Sequence, residues 1–314
     1  MNKILSHQGP SFGGEYRLRK LDATGAVVYE GDWFDNLVTN NGLDTIGLSS
    51  GASFANYCRI GTGNTAASYT DTALVSQSAS TNNAIANTIV NAGASNYETK
   101  ATVTFQFALG AVVGNMAEIG VGTTPTGATL CSRALIVDNV GSPTTITILV
   151  SEILQVVYRF TCYPNLVDAT GTVSIGGVSY NYVSRTFNAA TALGSSPQAS
   201  LLAGVSTPLA FPSTSTLGAI TSGGPSGTAA GFASAVLSAY TNGNYYRDLT
   251  ISAAIADANA VGGIAAISFS VWNGSSTPVF NNQISFAAVS GGGPIPKDNT
   301  KALTIVIRQP FSHH

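Results

Sequence analysis

Charged side chains are scarce in this chain of 314 residues. Asp, Glu, Lys and Arg together make up 9% of it, whereas average soluble domains carry roughly 25%. Ser, Thr, Asn, Gly and Ala must therefore cover most of the surface, and such a surface packs against other proteins without desolvating many ions. We interpret this scarcity as a sign of assembly into a larger structure. A neutral surface on a lone secreted domain is the alternative interpretation.

Basic stretches and long apolar runs are also missing. The net charge is −2 and Lys and Arg form no long tract, which argues against nucleic acid as the main partner. Arg17 and Arg19 fall on one face of a predicted strand, as expected for a solvated face. No run is long enough to span a bilayer, and Met1–Pro10 lacks the apolar centre of a signal peptide. We therefore expect folding in a cytoplasm, without insertion into a membrane.

Cysteine is too rare and too dispersed for the usual metal or redox sites. The odd number of cysteines and the lack of a Cys-x-x-Cys spacing indicate neither a zinc site nor a disulfide framework. We expect buried, reduced thiols. The cysteines are Cys58, Cys131 and Cys162.

The three histidines, His7, His313 and His314, all lie at the chain ends. A Ser-His-Asp or Cys-His arrangement would need one of them to reach a folded pocket. For His313 and His314 we expect a mobile tail. The sequence therefore predicts no catalytic residue, no cofactor and no metal ligand.

Glu118 is the most interesting carboxylate, because it lies in the apolar run Met116–Gly120. A carboxylate in such a run could be an acid with a raised pKa. It could also face outward on a strand, or form an ion pair with Arg133. We favour the last two interpretations, since no local motif supplies the second carboxylate of a hydrolase.

Three weaker patterns have ordinary structural explanations. Gly61-Thr-Gly63 lacks the third glycine of a dinucleotide loop and predicts a β-turn. Asn273-Gly-Ser275 is formally a glycosylation sequon, but a two-residue hairpin turn explains it. Four tyrosines could form a sugar-binding shelf, although cross-strand packing is more usual in strands. They are Tyr180, Tyr182, Tyr245 and Tyr246.

Almost every segment is typical of strand and turn. Glu15–Leu21 and Ala26–Glu30 flank Asp22–Gly25 and predict a hairpin with Gly25 in the left-handed conformation. Thr102–Leu109 alternates, which places Val103, Phe105, Phe107 and Leu109 on one face. Further strands are predicted at 144–150, 153–160, 264–272 and 279–286. A short helical periodicity at 232–240 is doubtful because of its Gly-rich flanks.

Three segments of the first half are echoed in the second, in the same order and at nearly constant spacing. Leu21–Val27 is similar to Val167–Val173. The pattern that begins at Tyr97 returns at Tyr245, with Ala266 in the place of Glu118. Residues 146–150 are similar to 303–307. We therefore predict an all-β fold of two tandem, internally duplicated antiparallel β-sandwich domains, 1–160 and 161–314. A Gly/Ser/Pro-rich loop region near 194–231 is predicted in the second domain.

Five short motifs of the first domain follow one another in a recognisable order and spacing. They are Asn36–Leu43, Ile60–Ala66, Asp71–Leu74, Asn115–Gly120 and Leu130–Ala134. In these motifs the domain resembles the tail, collar and fibre proteins of tailed bacteriophages. The resemblance spans roughly residues 16–160. The second half keeps only the hydrophobic skeleton. The resemblance implies an oligomeric, β-rich building block of a virion, folded in the host cytoplasm.

We therefore expect a structural protein of a tailed phage, oligomeric with itself and bound to other virion proteins. The alternative is a receptor- or carbohydrate-binding module of a fibre, with a host surface glycan as ligand. An enzyme such as a capsule depolymerase is a third hypothesis. Long parallel-β repeats and a carboxylate pair would be expected for that enzyme, and the sequence predicts neither.

Overall fold

The computed structural model describes residues 3–5, 9–48, 54–91, 97–187, 204–205, 208–212, 214–220, 223–232, 234–259, 262–272 and 278–314. Within these ranges the chain forms β-strands and one short helix. Most neighbouring strands are antiparallel, as the period-two alternation of apolar residues predicts. The predicted all-β fold class is confirmed.

The described residues of the first half form thirteen strands and the helix. They are β1 (Lys3–Leu5), β2 (Ser11–Leu21), β3 (Val27–Glu30), β4 (Phe34–Val38), α1 (Asn40–Gly47), β5 (Tyr57–Gly61), β6 (Gln77–Thr81), β7 (Ala84–Asn91), β8 (Thr99–Gln106), β9 (Gly114–Met116), β10 (Glu118–Gly122), β11 (Leu130–Leu135), β12 (Ile146–Ile148) and β13 (Ile153–Tyr163).

An eleven-stranded sheet organises the described part of this half, in the order β6-β5-β10-β11-β4-β2-β13-β8-β7, and β3 and one strand from the second half also pair with β2. Strand β4 pairs with both β11 and β2 and so joins two parts of the sheet. The Tyr16 hydroxyl of one part lies 2.6 Å from the Ser132 hydroxyl of the other. Strands β9 and β12 form a separate antiparallel pair.

Eleven strands lie in the part of the second half that the structure describes. They are β14 (Ala169–Ile175), β15 (Val178–Phe187), β16 (Gly204–Val205), β17 (Leu209–Pro212), β18 (Ala230–Gly231), β19 (Ser234–Leu237), β20 (Tyr246–Ala253), β21 (Ile264–Trp272), β22 (Pro278–Ala288), β23 (Leu303–Pro310) and β24 (Ser312–His313). One sheet runs β14-β15-β22-β21-β17-β18, with β16 also on β21, and another runs β1-β23-β20-β19.

Near each end of the chain, a strand pairs with a strand of the other half. Strand β1 lies parallel to β23 in the second half, and β24 lies parallel to β2 in the first. The predicted division between residues 160 and 161 falls within β13, which stops at Tyr163, one residue before Pro164. Buried side chains of both halves belong to one continuous hydrophobic cluster. The two predicted domains therefore share strands and core.

The first predicted hairpin is present. The Gly25 N–H donates to the Asp22 carbonyl at 3.0 Å, and Gly25 has φ +90°, a conformation that glycine adopts without steric cost. Strands β21 and β22 form the other predicted hairpin. Its Asn273-Gly-Ser275 turn lies outside the described residues. The helical periodicity at 232–240 instead yields strand β19.

One residue of the predicted alternation is exposed where the pattern predicts burial. Val103, Phe105 and Phe107 are buried as the alternation predicts, but Leu109 is 50% exposed. Strand β8 ends at Gln106, and a turn in which the Ala111 N–H donates to the Ala108 carbonyl follows it. The turn carries Leu109 out of the strand's alternation.

Part of the predicted loop region near 194–231 lies against the second half's own sheet. The Gln283 side chain, buried on β22, accepts from the Gly218 N–H and donates to its carbonyl. Residues 188–203 lie outside the described residues. No helix in the described ranges is long and apolar enough to cross a membrane.

Candidate functional site

The motifs that carry the phage resemblance converge on one buried ion pair. Glu118 on β10 and Arg133 on β11 are cross-strand diagonal neighbours, and both side chains are fully buried. The Arg133 Nη2 atom lies 2.9 Å from Glu118 Oε2, and Arg133 Nε donates to the same oxygen at 3.0 Å. Of the interpretations of Glu118, the ion pair with Arg133 is confirmed and the outward orientation is wrong.

Glu118 accepts hydrogen bonds from both ends of the connection between β5 and β6, residues 62–76. Its Oε1 accepts the backbone N–H of Gly63 at 3.1 Å and of Ser76 at 2.6 Å. Its Oε2 accepts from the Val75 N–H at 3.0 Å. A side chain on Gly61 or Gly63 would collide with this carboxylate, so both glycines are needed for its approach.

Arg133 binds the middle of the same connection through hydrogen bonds and an ion pair. Its guanidinium donates to the carbonyls of Thr65 at 2.8 Å and Ala66 at 3.3 Å. It also forms a 2.7 Å ion pair with Asp71, and Asp71 in turn accepts the Ser68 N–H at 2.8 Å. A carboxylate and a guanidinium whose hydrogen-bonding positions are filled in this way can remain charged inside a protein.

The Asn36–Leu43 motif docks helix α1 against the same strand, β11. Thr39 is the N-cap, and its hydroxyl accepts from the Gly42 N–H and donates to the Leu130 carbonyl at 2.6 Å. A side chain on Gly42 would collide with the Cys131 carbonyl. The glycine of this motif therefore permits the close approach of the helix to β11.

The connection fixed by this network is itself exposed. Tyr69 is 40% exposed and Val75 is 58% exposed, while the charges that hold them lie underneath. We call residues 62–76 the clamped loop. Because Glu118 is buried and already accepts four donors, it can order the surface above it, but its carboxylate is not accessible to a substrate.

A second buried arginine, Arg59 on β5, fixes the turn between β10 and β11. It donates to the carbonyls of Thr124 at 2.7 Å and Gly127 at 2.9 Å, and to the Thr129 hydroxyl. Burial lowers the pKa of this guanidinium. Arg59 was not predicted as a functional residue, although an arginine within the apolar strand Tyr57–Gly61 was the available signal.

A groove of 550 Å³ lies between β3 and residues 136–147. Tyr29, which is 44% exposed, and Lys20 form part of one wall, with the Lys20 ammonium 5.9 Å from the tyrosine ring centre. Asp32 and Asn139 contribute polar groups. This combination of an aromatic ring with amide and carboxylate groups is suited to a polar, hydroxyl-bearing ligand.

The four tyrosines predicted as a possible sugar-binding shelf are occupied by packing. Tyr180 and Tyr182 are 2% and 7% exposed, and Tyr245 packs edge-on against Phe311 at 6.3 Å. Tyr246 lies under the Arg308 guanidinium at 3.4 Å. Cross-strand and core packing explains these four rings better than a shelf does.

The terminal histidines are packed, so the expected mobile tail is wrong. His314 stacks on Tyr163 with ring centres 3.5 Å apart, and its Nδ1 lies 3.0 Å from the Ser11 hydroxyl. His313 Nε2 lies 3.0 Å from the Asn40 side-chain oxygen. Strand β24 joins the first half's sheet, and this pairing orders the tail. His7 lies outside the described residues.

The remaining predictions concern cysteines and surface cations. All three cysteines are free and buried, as expected, and burial raises the pKa of Cys131 and of Cys162 to about 12. Arg17 and Arg19 share one face of β2 and both pair with Glu30. Among the described residues, no cluster of His, Cys, Asp or Glu could hold a metal ion.

Comparisons with known proteins identify no relative. No protein-family model, no curated protein and no solved structure matches the chain.

Proposed function

We propose that this chain is a structural protein of a tailed-phage virion and acts as one subunit of an oligomeric tail, collar or fibre-attachment part. The observation that carries the proposal is the clamped loop. A chain with only 9% charged residues uses a fully buried Glu118–Arg133 pair, and Asp71 beside it, to order an exposed loop.

Such an arrangement fits a contact element. Ordering a loop before it binds removes the conformational entropy that the loop would otherwise lose in the complex. The residues displayed by the clamped loop are mostly small and uncharged, so a partner can cover them without desolvating many ions. The proposal assigns neither a catalytic residue nor a cofactor to the chain.

The mass of the purified protein tests the oligomeric part of this proposal. We expect light scattering and electron microscopy at micromolar concentration to find a closed ring or bundle. A single-chain mass at every concentration, unchanged when the protein is mixed with tail-less phage particles, would contradict the proposal.

The second candidate function is a glycan-binding module of a fibre, and the groove beside Tyr29 favours it. A sugar ring packs its C–H face on an exposed aromatic ring and bonds its hydroxyls to amide and carboxylate groups. The measurement is glycan-array binding by the intact protein and by Tyr29→Ala. Tyr69→Ala, which removes a tyrosine of similar exposure outside the groove, is the matched control.

A further inference from the structure

The groove beside Tyr29 has a preformed wall. The Gly31 N–H donates to the Leu18 carbonyl at 2.9 Å, and a side chain on Gly31 would collide with the Tyr29 hydroxyl. The Lys20 ammonium near the same ring binds Glu152 at 3.0 Å. A ligand therefore meets a wall that is already ordered, and binding there costs little conformational entropy.

The other surfaces of the groove combine buried aliphatic chains with exposed hydroxyl groups. Leu18, Ile136 and Ile146 line the groove and are buried. Thr144 and Thr145 also line it and are exposed. A sugar ring has matching surfaces, because its C–H groups are apolar and its edge bears hydroxyls. The lining is therefore complementary in chemistry to a saccharide.

The charges of the lining are mostly negative. Among the described residues that line the groove, the cation is Lys20 and the carboxylates are Glu30, Asp32 and Asp138. Glu152 neutralises Lys20. Arg17 and Arg19 both pair with Glu30, at 2.7 and 2.9 Å. The two remaining carboxylates therefore determine the sign of the electrostatic field in the groove.

These two carboxylates lie on opposite walls. Asp32 is exposed and belongs to the segment that joins β3 to β4. Asp138 belongs to the other wall, where its Oδ1 accepts the backbone N–H groups of Val140 and Ser142 at 3.0 and 2.9 Å. An anion that enters the groove therefore has a carboxylate on each side, and like charges brought together in this way weaken binding.

We propose that the groove selects uncharged saccharides over saccharides that carry carboxylate or phosphate groups, and that Asp32 is the main determinant of this selectivity. The inference rests on the second candidate function, glycan binding, and names its class of ligand. Asp32 has the larger part because it is exposed, whereas backbone hydrogen bonds offset part of the Asp138 charge. A specific site commonly rejects the wrong ligand with such a repulsive element.

A glycan array that carries neutral glycans and their counterparts with sialic acid, uronic acid or phosphate tests the proposal on the intact protein. We expect the neutral glycans to bind roughly tenfold more tightly than their acidic counterparts at low salt. Added salt should narrow this difference, because it screens the repulsion between exposed charges.

Asp32→Asn should raise the binding of acidic glycans relative to neutral ones roughly three- to tenfold and remove most of the salt dependence. Asp35→Asn is the matched control. Asp35 is also exposed, but it follows Phe34 on β4 and so lies on the opposite face from that residue, which lines the groove. This control should leave the ratio unchanged. Equal thermal midpoints of both variants establish folding.

The outcomes separate this inference from the glycan-binding function itself. If acidic glycans bind as tightly as neutral ones, or if Asp32→Asn leaves their ratio unchanged, the inference is overturned while glycan binding stands. If the intact protein binds no glycan of either class, both the inference and the second candidate function are overturned.

Discussion

The turns that lead into β13 and β23 each contain a backbone hydrogen bond between residues three positions apart, but they expose different kinds of side chain. In the first half, the Glu152 N–H donates to the Leu149 carbonyl at 3.0 Å; in the second, Lys301 donates to Asp298 at 3.3 Å. The first turn exposes Leu149 and Val150, whereas the second exposes Asp298, Asn299 and Lys301. The hydrogen-bonded turn therefore requires neither set of side chains, and the apolar residues are a feature of the first half's surface.

Further positions of the two halves correspond in backbone geometry. Tyr97 and Tyr245 both have φ +53°, rare for a bulky residue, and each shortly precedes a strand, β8 or β20. Those strands pair with β13 and β23 respectively. Met116 pairs with Ile146 in the first half, and Ile264 pairs with Ile295 in the second.

Two of the three sequence echoes do not occupy corresponding places. Asp22–Gly25 forms the turn after β2, whereas residues 169–171 of the matching segment begin β14. The echo between residues 146–150 and 303–307 joins β12 to β23, although β23 takes the place of β13 by its pairing. Only the echo that begins at Tyr97 coincides with matching strands. The internal duplication as a whole stays a prediction.

The halves also differ in how they hold their loops. Glu118 on β10 corresponds by sequence to Ala266 on β21, and both are fully buried. The buried strand position that the sequence echo aligns with Glu118 therefore holds no carboxylate in the second half. In the first half, Glu118 and Arg133 bind the backbone of the clamped loop. The charge pair therefore stabilises the conformation in which this loop is exposed.

The largest expected effect comes from removing the charge of Glu118. Glu118→Gln leaves Arg133 buried without its main partner and should lower the free energy of unfolding by about 3 kcal/mol. Urea denaturation measures it. Glu15→Gln, which disturbs the partly exposed pair with Arg159, is the control and should cost about 1 kcal/mol or less. Equal losses in the two variants would show that the buried pair has no special role.

A smaller effect is expected at two residues with positive φ, one in each half. Gly110 has φ +72° and Ala258 has φ +51° in the connections that follow β8 and β20. Gly110→Ala should cost about 1 kcal/mol, because an alanine is strained in the left-handed region. A Cβ there meets Val150 only at ordinary contact distance, so strain alone is measured.

Ala258→Gly is the reciprocal variant and should change the thermal midpoint little. The relief of strain is offset by the lost burial of its methyl group and by the greater freedom of glycine in the unfolded chain. A neutral Gly110→Ala would contradict the left-handed conformation at that turn.

The smallest effect concerns the contact between the halves and depends on pH. Burial lowers the pKa of His313 from its ordinary value of 6.5, and its Nδ1 atom is buried without a hydrogen-bond partner. The unfolded chain therefore binds a proton more readily than the folded chain below pH 6.5. The stabilisation is complete above this pH and is lost as the pH falls toward the folded-state pKa.

Thermal midpoints measured across this pH range test the histidine. We expect His313→Gln to flatten the decline that the wild-type protein shows on acidification, whereas His314→Gln should retain most of it. A wild-type profile that His313→Gln leaves unchanged would contradict the assignment.

Much of the fold could be predicted because apolar alternation reports strand faces directly. The hairpin at Asp22–Gly25 and the buried faces of β8 and β13 follow from residue spacing. Leu109 could not be placed in this way, because its exposure depends on where β8 ends. The clamp on loop 62–76 was visible only as a set of short motifs, since its hydrogen bonds join residues more than forty positions apart.

The sequence by itself determined the all-β class, the burial of the three cysteines and the low charge, because composition and period-two spacing are local properties. The tertiary structure decided which charges are buried together, where the chain ends lie and which surfaces stay open. The packing of His313 and His314 depends on β24 meeting β2, a pairing of the two chain ends. Contacts of such long range are fixed by the folded sheet, and no local pattern encodes them.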